Sequence, residues 1–369
     1  MAAKLVLGIL TGEHNARSPY VRSLIKTAKE LGVTAFGFTP RAMQDPDARY
    51  VDGFDGAKAR SLSVQPFPTV VYNRIATRKD EVSAPVKVVK EILRSRNIPY
   101  FNQRFFNKRE VDQALRRDPE TAVLLPETLT EWDVGQMAEM LERHGMLFVK
   151  PISGSFGEGI CQLTREGGRY RLDVRGPLGV VTRYFAHWRE CVDACRAQMG
   201  AWPCIIQEGI RLGRYEDRKT DFRVHVHRGR DEQWQVAGIG AKVASDQAIT
   251  THVHSGGRVE DGEVVLGSWY GREVEQVRKR LETAAVAVCE RLAIELDENL
   301  GELGLDMGIS TDGRMVLFEA NAKPGRAIFA HKALQGAGKV SRHQVFAHAE
   351  ALQTAVQTTT RRRLGVWQE

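Results

Sequence analysis

The chain has 369 residues, of which 42% are hydrophobic and 27% charged, and it carries a formal net charge of +7. That length and composition allow two or three lobes with apolar cores and exclude an intrinsically disordered chain. The basic residues are spread along the sequence, with the densest run at 361–363, so neither a basic stripe nor interleaved aromatic and basic residues marks a nucleic-acid surface.

No apolar run reaches the roughly 18 residues that a membrane-spanning helix needs. The start, MAAKLVLGILTGEHNARS, reads as a strand and turn rather than a signal peptide, because its apolar stretch is short and no small-residue cleavage site follows. A cytoplasmic location is the expectation. Cys161, Cys191, Cys195, Cys204 and Cys289 are odd in number and irregular in spacing, which argues against a disulfide framework. Cys191 and Cys195 stand four apart on a predicted helix and read as small buried side chains.

Taken in chain order, strand and helix signals alternate over the first hundred residues. LVLGIL (5–10) is an apolar run, Val21, Leu24, Ile25 and Ala28 recur at helical spacing, VTAFGFTP ends at Pro40, TVVYNRI (69–75) is a further strand, and 86–93 a further helix. This pattern predicts a parallel sheet covered on both faces. Asn107 caps a helix, with Glu110 three residues on. MLFVKP (146–151) is a strand running into glycines, and GICQLTREGGRYRLDV two strands joined at 166–168. RYFAHWRECVDACRAQM reads as a helix and IIQEGI as a short strand. In DFRVHVHRGR, Phe222, Val224 and Val226 alternate with Arg223, His225 and His227, the pattern of a half-exposed antiparallel strand. A helix over about 271–296, two strands around Thr311-Asp312-Gly313 and a last helix over about 342–358 complete the reading.

Four segments carry chemistry. In FVKPISGSFGEGI, Lys150 ends a strand and Gly154, Ser155, Phe156, Gly157, Glu158 and Gly159 follow. Glycines let backbone amides converge on an anion and the lysine adds a point charge. The loop lacks Gly-Lys-Ser/Thr and is followed by a strand, so it is not a P-loop. In LGLDMGISTDGRMVLFEANAKPG, Asp306 lies on one strand while Glu319 and Asn321 share a face of the next, a set of hard oxygen donors suited to Mg²⁺. Glu319 sits among Val316, Leu317, Phe318 and Ala320, where a carboxylate needs a partner or a metal. Asp221 and Arg223 share a strand face, which on its own suggests a surface ion pair. Gln207-Glu208 in IIQEGI sits where a hinge between lobes would lie. His225, His227, His252 and His254 form two His-x-His pairs. Without a nearby carboxylate in the sequence they read as solvated strand histidines rather than a zinc site.

The order of YNRI (72–75), FNKREVDQAL, LFVKPISGSFGEGI, IIQEGI, DFRVHVHR, the Gly256-Gly257 pair of HSGG and LGLDMGISTDGRMVLFEANAKPG resembles the ATP-grasp superfamily over nearly the whole chain. More closely it is similar to the YheC/YheD family, whose members are described as endospore coat-associated. The resemblance implies an α/β N-terminal (pre-ATP-grasp) domain over 1–102, followed by an α+β ATP-grasp fold of two lobes with the nucleotide between them. The first lobe would cover 103–208 and the second 209–369. It further implies that Lys108 and Lys150 contact ATP phosphates, that 154–159 close over them, and that Gln207, Glu208 and Ile210 hold adenine. Asp306, Glu319 and Asn321 would hold one or two Mg²⁺ ions, with Mn²⁺ as the alternative. Arg223 would face the transferred phosphoryl group and Lys242 a position where relatives carry a basic residue. A basic cleft for this nucleotide accounts for part of the net charge. Arg74, Gly256 and Gly257 are the candidate substrate contacts, with Arg78 beside them. Related ligases often have an asparagine before the glycine pair, whereas this chain has THVHSGG, with His252 and His254.

The implied activity is that of an ATP-dependent carboxylate–amine ligase, forming an amide or peptide bond through an acylphosphate with release of ADP and phosphate. Its partners would be small-molecule or peptide carboxylates and amines, with neither nucleic acid nor membrane. The alternative is a spore-coat-associated ATP-binding protein with little or no turnover. The intact Lys150, Asp306, Glu319 and Asn321 favour the enzyme. Homo-oligomerisation and spore association are left open by the sequence.

Overall fold

The first hundred residues form the parallel sheet that their alternating pattern predicts. A computed structural model describes the chain apart from residues 1–3, 14, 16, 57–61, 153–158, 177–178, 246–247, 250, 252–255 and 364–369, and apart from the side chains of 360–363. The N-terminal elements are β1 (Val6–Leu10), α1 (Pro19–Glu30), β2 (Thr34–Phe38), β3 (Tyr50–Gly53), β4 (Ser63–Pro66), β5 (Val70–Asn73), α2 (Arg78–Glu81), α3 (Ala84–Ser95) and β6 (Tyr100–Phe101). The sheet has the order β2-β1-β5-β6 and is parallel throughout. One face buries Leu7, Ile9 and Tyr72 with Val21, Leu24 and Ile25 of α1. The other buries Leu10, Phe36 and Val71 with Val86, Val89 and Leu93 of α3. Ser18 caps α1 by accepting from the Val21 N–H, and Pro19 supplies the fixed φ of a first turn.

Next come α4 (Lys108–Arg116), α5 (Pro119–Ala122), β7 (Thr128–Leu129), α6 (Val134–His144), β8 (Met146–Pro151), β9 (Cys161–Glu166), β10 (Arg169–Gly176), β11 (Gly179–Phe185), α7 (Trp188–Met199) and β12 (Cys204–Glu208). The second sheet runs β11-β10-β9-β8-β12-β7. Its inner face packs Leu147, Val149, Leu163 and Ile206 on Met137 and Met140 of α6 and Val192 of α7. Cys161, Cys191, Cys195 and Cys204 all belong to this core. Because side chains alternate along a strand, Phe148, Lys150, Gln162 and Gln207 fall on the opposite face. The helix expected from Arg183 begins instead at Trp188. Residues 179–185, rich in β-branched and aromatic side chains, pair with β10, and that pairing overrides the helical reading.

The last elements are β13 (Arg214–Tyr215), β14 (Arg218–Arg228), β15 (Trp234–Val243), β16 (Arg258–Asp261), α8 (Gly262–Tyr270), α9 (Val274–Glu295), β17 (Glu302–Ile309), β18 (Met315–Asn321) and α10 (Gln335–Arg363). The third sheet runs β16-β15-β14-β17-β18, with β13 paired to β14. Phe222, Val224, Val226, Leu303 and Leu305 bury against Val265 and Leu266 of α8 and Leu281, Ala285 and Leu292 of α9. The last helix runs well beyond the 342–358 expected from sequence, and α8 precedes the helix expected from 271.

Two packing relations depart from chain order. Residues 106–125, placed with the first lobe by position, bury Phe106, Val111, Leu115 and Leu124 in the core of the third sheet, so α4 is mounted on the second lobe. Helix α10 sends Val345, Phe346 and Ala349 into the N-terminal core with Leu7 and Val21. Among the described residues no helix is long and apolar enough to cross a membrane.

Candidate active site

The register of the third sheet assembles one polar row. Arg223 on β14 stands opposite Asp306 on β17, and Asp306 opposite Glu319 on β18. Asp221 on β14 stands opposite Lys242 on β15. A fork of two hydrogen bonds joins Arg223 to Asp306, Nε to Oδ1 at 2.7 Å and Nη2 to Oδ2 at 3.0 Å. Lys242 Nζ lies 3.0 Å from Asp306 Oδ1 and 3.1 Å from Asp221 Oδ1. The Thr251 hydroxyl donates to the other Asp221 oxygen. The surface ion pair expected between Asp221 and Arg223 is therefore replaced by two cross-strand pairs, each aligned by register rather than by sequence spacing. Asp221, Lys242 and Asp306 are buried and Arg223 is half-buried. Burial raises the Asp221 carboxyl and Lys242 opposes it, while Asp221 and Asp306 hold the Lys242 ammonium above its ordinary range against the cost of desolvation. Asn321 lies two residues past Glu319 on the same side of β18, facing Gly304 across the ladder.

Helix α4 and the second sheet flank this row. Lys108 opens α4 immediately after the Asn107–Glu110 capping box, and its backbone N–H donates to Ile152 just past β8. Its ammonium lies 3.1 Å from Glu319 Oε1. Lys150 donates to Gln207 Oε1 at 2.8 Å and sits 5.7 Å from the centre of the Phe318 ring on β18. Desolvation, and then the like charge of Lys108, pull the Lys150 ammonium down to about 8. A cleft between the sheets is lined by Lys108, Ile205, Gln207, Phe318 and Glu319. Lys108 from α4 and Lys150 from the second sheet thus both lie near Glu319.

Glu208 does not aim its carboxylate into that cleft. Oε1 accepts from Arg314 at 2.6 Å and from the Glu127 N–H at 3.1 Å, and Oε2 lies 2.9 Å from His144. Ile210 lies just beyond the strand end. Gly159 has a φ of +69°, and a Cβ there would lie 3.2 Å from the Trp202 ring, so this turn demands glycine. Gly256, next to Gly257, has a φ of +83°. Gly154, Ser155, Phe156, Gly157, His252 and His254 lie outside the described residues.

Arg74 and the histidines of β14 belong to a second buried network. Glu302, with no exposed surface, accepts from the Tyr72 hydroxyl, from Arg74 at 3.0 Å and from Arg326 at 3.1 Å. His227 Nε2 lies 3.4 Å from it and 2.7 Å from the Ser341 hydroxyl, while His225 bonds the Gly325 carbonyl. The expectation of solvated histidines is corrected: α10, the segment after β18 and the N-terminal sheet cover that face, and burial pulls His227 down to about 4. His225, His227 and Glu302 come within 4.8 Å of one another, but a cation there would face two guanidinium groups already paired with Glu302. Arg78 donates to the Phe106 carbonyl and also feels the charge of Glu319. Sequence reasoning passed over Glu302, Arg326 and the Lys323–Glu81 pair. The argument that singled out Glu319, a carboxylate inside an apolar strand, applies equally to Glu302 in ELGLDMGI.

The family model described as YheC/D-like ATP-grasp matches residues 97–352. The chain belongs to this family. The endospore coat-associated protein YheD of Bacillus subtilis (strain 168) is 32% identical over 293 residues, which are 78% of this chain and 64% of that relative. Thus the chain spans just under two thirds of that protein's length. Among solved structures, D-alanyl-alanine synthetase A from Vibrio cholerae O1 superposes with a TM-score of 0.53 at 13% identity, covering 94% of this chain and 99% of the other. The ATP-grasp ligase PsnB complexed with a minimal precursor gives 0.51 at 16% identity, covering 92% and 98%. The fold is the ATP-grasp fold, with this YheC/D-type chain placing its polar row between the second and third sheets.

Proposed function

We propose that this protein is an ATP-dependent, ADP-forming ligase that joins a carboxylate to an amine. The observation that carries the reading is the cross-strand row Arg223–Asp306–Glu319, with Lys108 at the start of α4 and Lys150 on the second sheet both close to Glu319. The donor set fits Mg²⁺ or Mn²⁺, since Asp306, Glu319 and Asn321 offer hard oxygens from adjacent strands. A divalent ion held by these residues would supply positive charge to offset the charge that develops in transfer. The cations that now hold Asp306 and Glu319, namely Arg223, Lys242 and Lys108, are those the reading assigns to phosphate oxygens. Phosphate can therefore take over these cations as the carboxylates turn to the ion, and no charge is left unpaired at either stage.

In this reading Lys108 and Lys150 hold the phosphates, Gln207 fixes Lys150, and the backbone of 208–210 reads the base. A substrate carboxylate oxygen attacks the γ-phosphorus, the bond to ADP breaks, and Arg223 with Lys242 balances the charge on the transferred group. An amine nitrogen then attacks the acyl carbon of the acylphosphate, phosphate leaves, and the amine loses a proton. Orientation and charge suffice, so no protein nucleophile is needed. Residues 154–159 would close over the phosphates, keeping water from the acylphosphate.

The test is ADP release with Mg²⁺-ATP against a panel of carboxylates and amines, with Glu319→Ala as control. Release that requires both substrates and drops by at least about a hundredfold in the variant supports the ligase. The name of the YheD relative supports a second reading, a coat-associated nucleotide-binding protein without turnover. Calorimetric binding of Mg²⁺-ATP with no release against any pair favours that one. Absence of nucleotide binding rejects both.

A further inference from the structure

A second cavity, of about 300 Å³, lies between the first-lobe sheet and the β13–β14 hairpin of the second lobe. It is at the small end of the range for ligand pockets. Its first-lobe wall is Gln162 on β9 and Arg171 with Asp173 on β10. Arg171 and Asp173 satisfy each other at 3.0 Å, and Asp173 also accepts from Thr182, so this pair is internally neutral. Gln162 is different. It is only 9% exposed, and its Oε1 has no hydrogen-bond partner among the described residues. A buried amide oxygen left unpaired costs free energy, and among the described residues no donor reaches it.

The facing wall is cationic. Arg214, Arg218 and Lys219 stand there with one acid, Asp217. Arg214 is oriented by the Asp217 carbonyl through its Nε at 2.8 Å. The Lys219 side chain has no hydrogen-bond or ion-pair partner among the described residues. Burial, and then the neighbouring Arg214, pull its ammonium down, and Asp173 on the facing wall offsets this only in part. Lys219, Asp221 and Arg223 alternate along β14 and share a face. The cavity is therefore separated from Arg223 by four residues of extended strand, about 13 Å.

We propose that this cavity docks an acidic segment of a peptide, with a glutamate or aspartate carboxylate on Lys219 and Arg214 and a backbone N–H on Gln162 Oε1. A nucleic-acid duplex is too wide for the space. A peptide supplies both, a donor at every residue and an anion where its sequence is acidic. Under the ligase reading, on which only the reason for a peptide rests, the docked acid lies about four extended residues from the group that reacts at Arg223.

The test uses the full chain and fluorescence anisotropy with a labelled oligoglutamate peptide, its oligoglutamine counterpart, and a separate titration with a non-hydrolysable ATP analogue. Oligoglutamate is expected to bind at least about tenfold more tightly than oligoglutamine, Lys219→Glu to weaken it about tenfold, and Gln162→Leu about threefold. Nucleotide affinity should stay within about twofold in both variants, and Lys26→Glu, a charge reversal on exposed α1, should leave peptide binding unchanged. Equal binding of the two peptides, or equal loss in Lys26→Glu, overturns the proposal by reducing it to general charge attraction. Parallel loss of nucleotide affinity overturns it by placing the cavity in the nucleotide site. Failure of the wild type to bind nucleotide rejects the proposed function while leaving the peptide measurement to be judged alone.

Discussion

Replacing Glu302 by glutamine tests how the N-terminal sheet is tied to the third sheet. Glu302 is fully buried and carries the only negative charge that faces Arg74 and Arg326 at 3.0 and 3.1 Å among their described ion pairs. Tyr72 and Arg74 come from β5, Arg326 from the segment after β18, and His227 from β14. Glutamine keeps the shape but removes the charge and turns one acceptor into a donor facing a guanidinium. Breaking a buried pair from one side costs about 3–5 kcal/mol, because the remaining charges stay buried without compensation. With an unfolding entropy of about 2.1 cal/mol/K per residue, a chain of this length unfolding as one unit would lose about 4–6 °C in Tm. The measurement is thermal unfolding followed by near-ultraviolet circular dichroism, from pH 3 to 8.

The pH dependence gives that experiment a sign. Paired guanidinium groups and Tyr72 hold the folded Glu302 carboxyl below its ordinary range, against desolvation. Its contribution is therefore fully present above the unfolded value of about 4.3 and is lost as pH falls through the lower folded value. The gap between wild type and Glu302→Gln should stay constant from about pH 6 to 8 and close toward pH 3. His227, held neutral down to about 4, adds a separate loss of stability as pH falls below the unfolded histidine value near 6.5. A Tm loss under about 1 °C at pH 7, or a gap that persists unchanged to pH 3, would refute the view that Glu302 is an ionised keystone between the two parts.

Lys150, drawn down to about 8, must be protonated to hold a phosphate, so affinity for a non-hydrolysable ATP analogue is expected to fall as pH rises through about 8. Lys150→Met should weaken binding and remove that dependence, and a variant that keeps it would show that another group titrates. Gly159→Ala forces a side chain into a left-handed conformation 3.2 Å from Trp202. This should cost about 1–2 kcal/mol and raise the apparent KM for ATP, and unchanged stability and kinetics would show that the turn relaxes freely. All of the cysteines are buried, and burial with neighbouring thiols pushes Cys191 up to about 12 and Cys195 higher. The native protein should thus react with a thiol-specific disulfide reagent far more slowly than the urea-unfolded chain. Rapid modification of the native state would contradict the packing of that core.

Much of the fold was legible because local and global signals agreed. The parallel N-terminal sheet follows from alternating apolar runs and amphipathic helices, and the start of α4 from Asn107 and Glu110. The grouping of Asp306 with Glu319 was legible too, and the register sets them opposite each other on adjacent strands. What was not legible depends on contacts distant in sequence. Nothing local says that Arg223 pairs with Asp306, 83 residues away, rather than with Asp221. The alternation of β14 correctly identified two faces, but not that a C-terminal helix and the N-terminal sheet would bury the polar one. Helix α4 was assigned to the wrong neighbour for the same reason: its apolar face fits α9 across a gap that chain order does not reveal.

The two polar networks differ in a way that bears on what each is for. Around Glu302 the charges are dry, fixed by several partners, and drawn from elements that cannot move apart without exposing the core. Such a network favours rigidity, since any opening strands a charge in a low dielectric. Around Asp306 the pairs are exchangeable. Lys242 lies between two carboxylates at nearly equal distance, and Lys108 reaches Glu319 from across the cleft. A polyanion entering with a divalent ion offers each of these cations and carboxylates a replacement partner of the same sign as the one it leaves. The barrier to rearrangement is then low, because ion pairs are traded rather than broken. Placing the rigid network one face-neighbour along β14, at His225 and His227, beside the exchangeable one at Asp221 and Arg223 lets the site repartner its charges on a strand that does not shift.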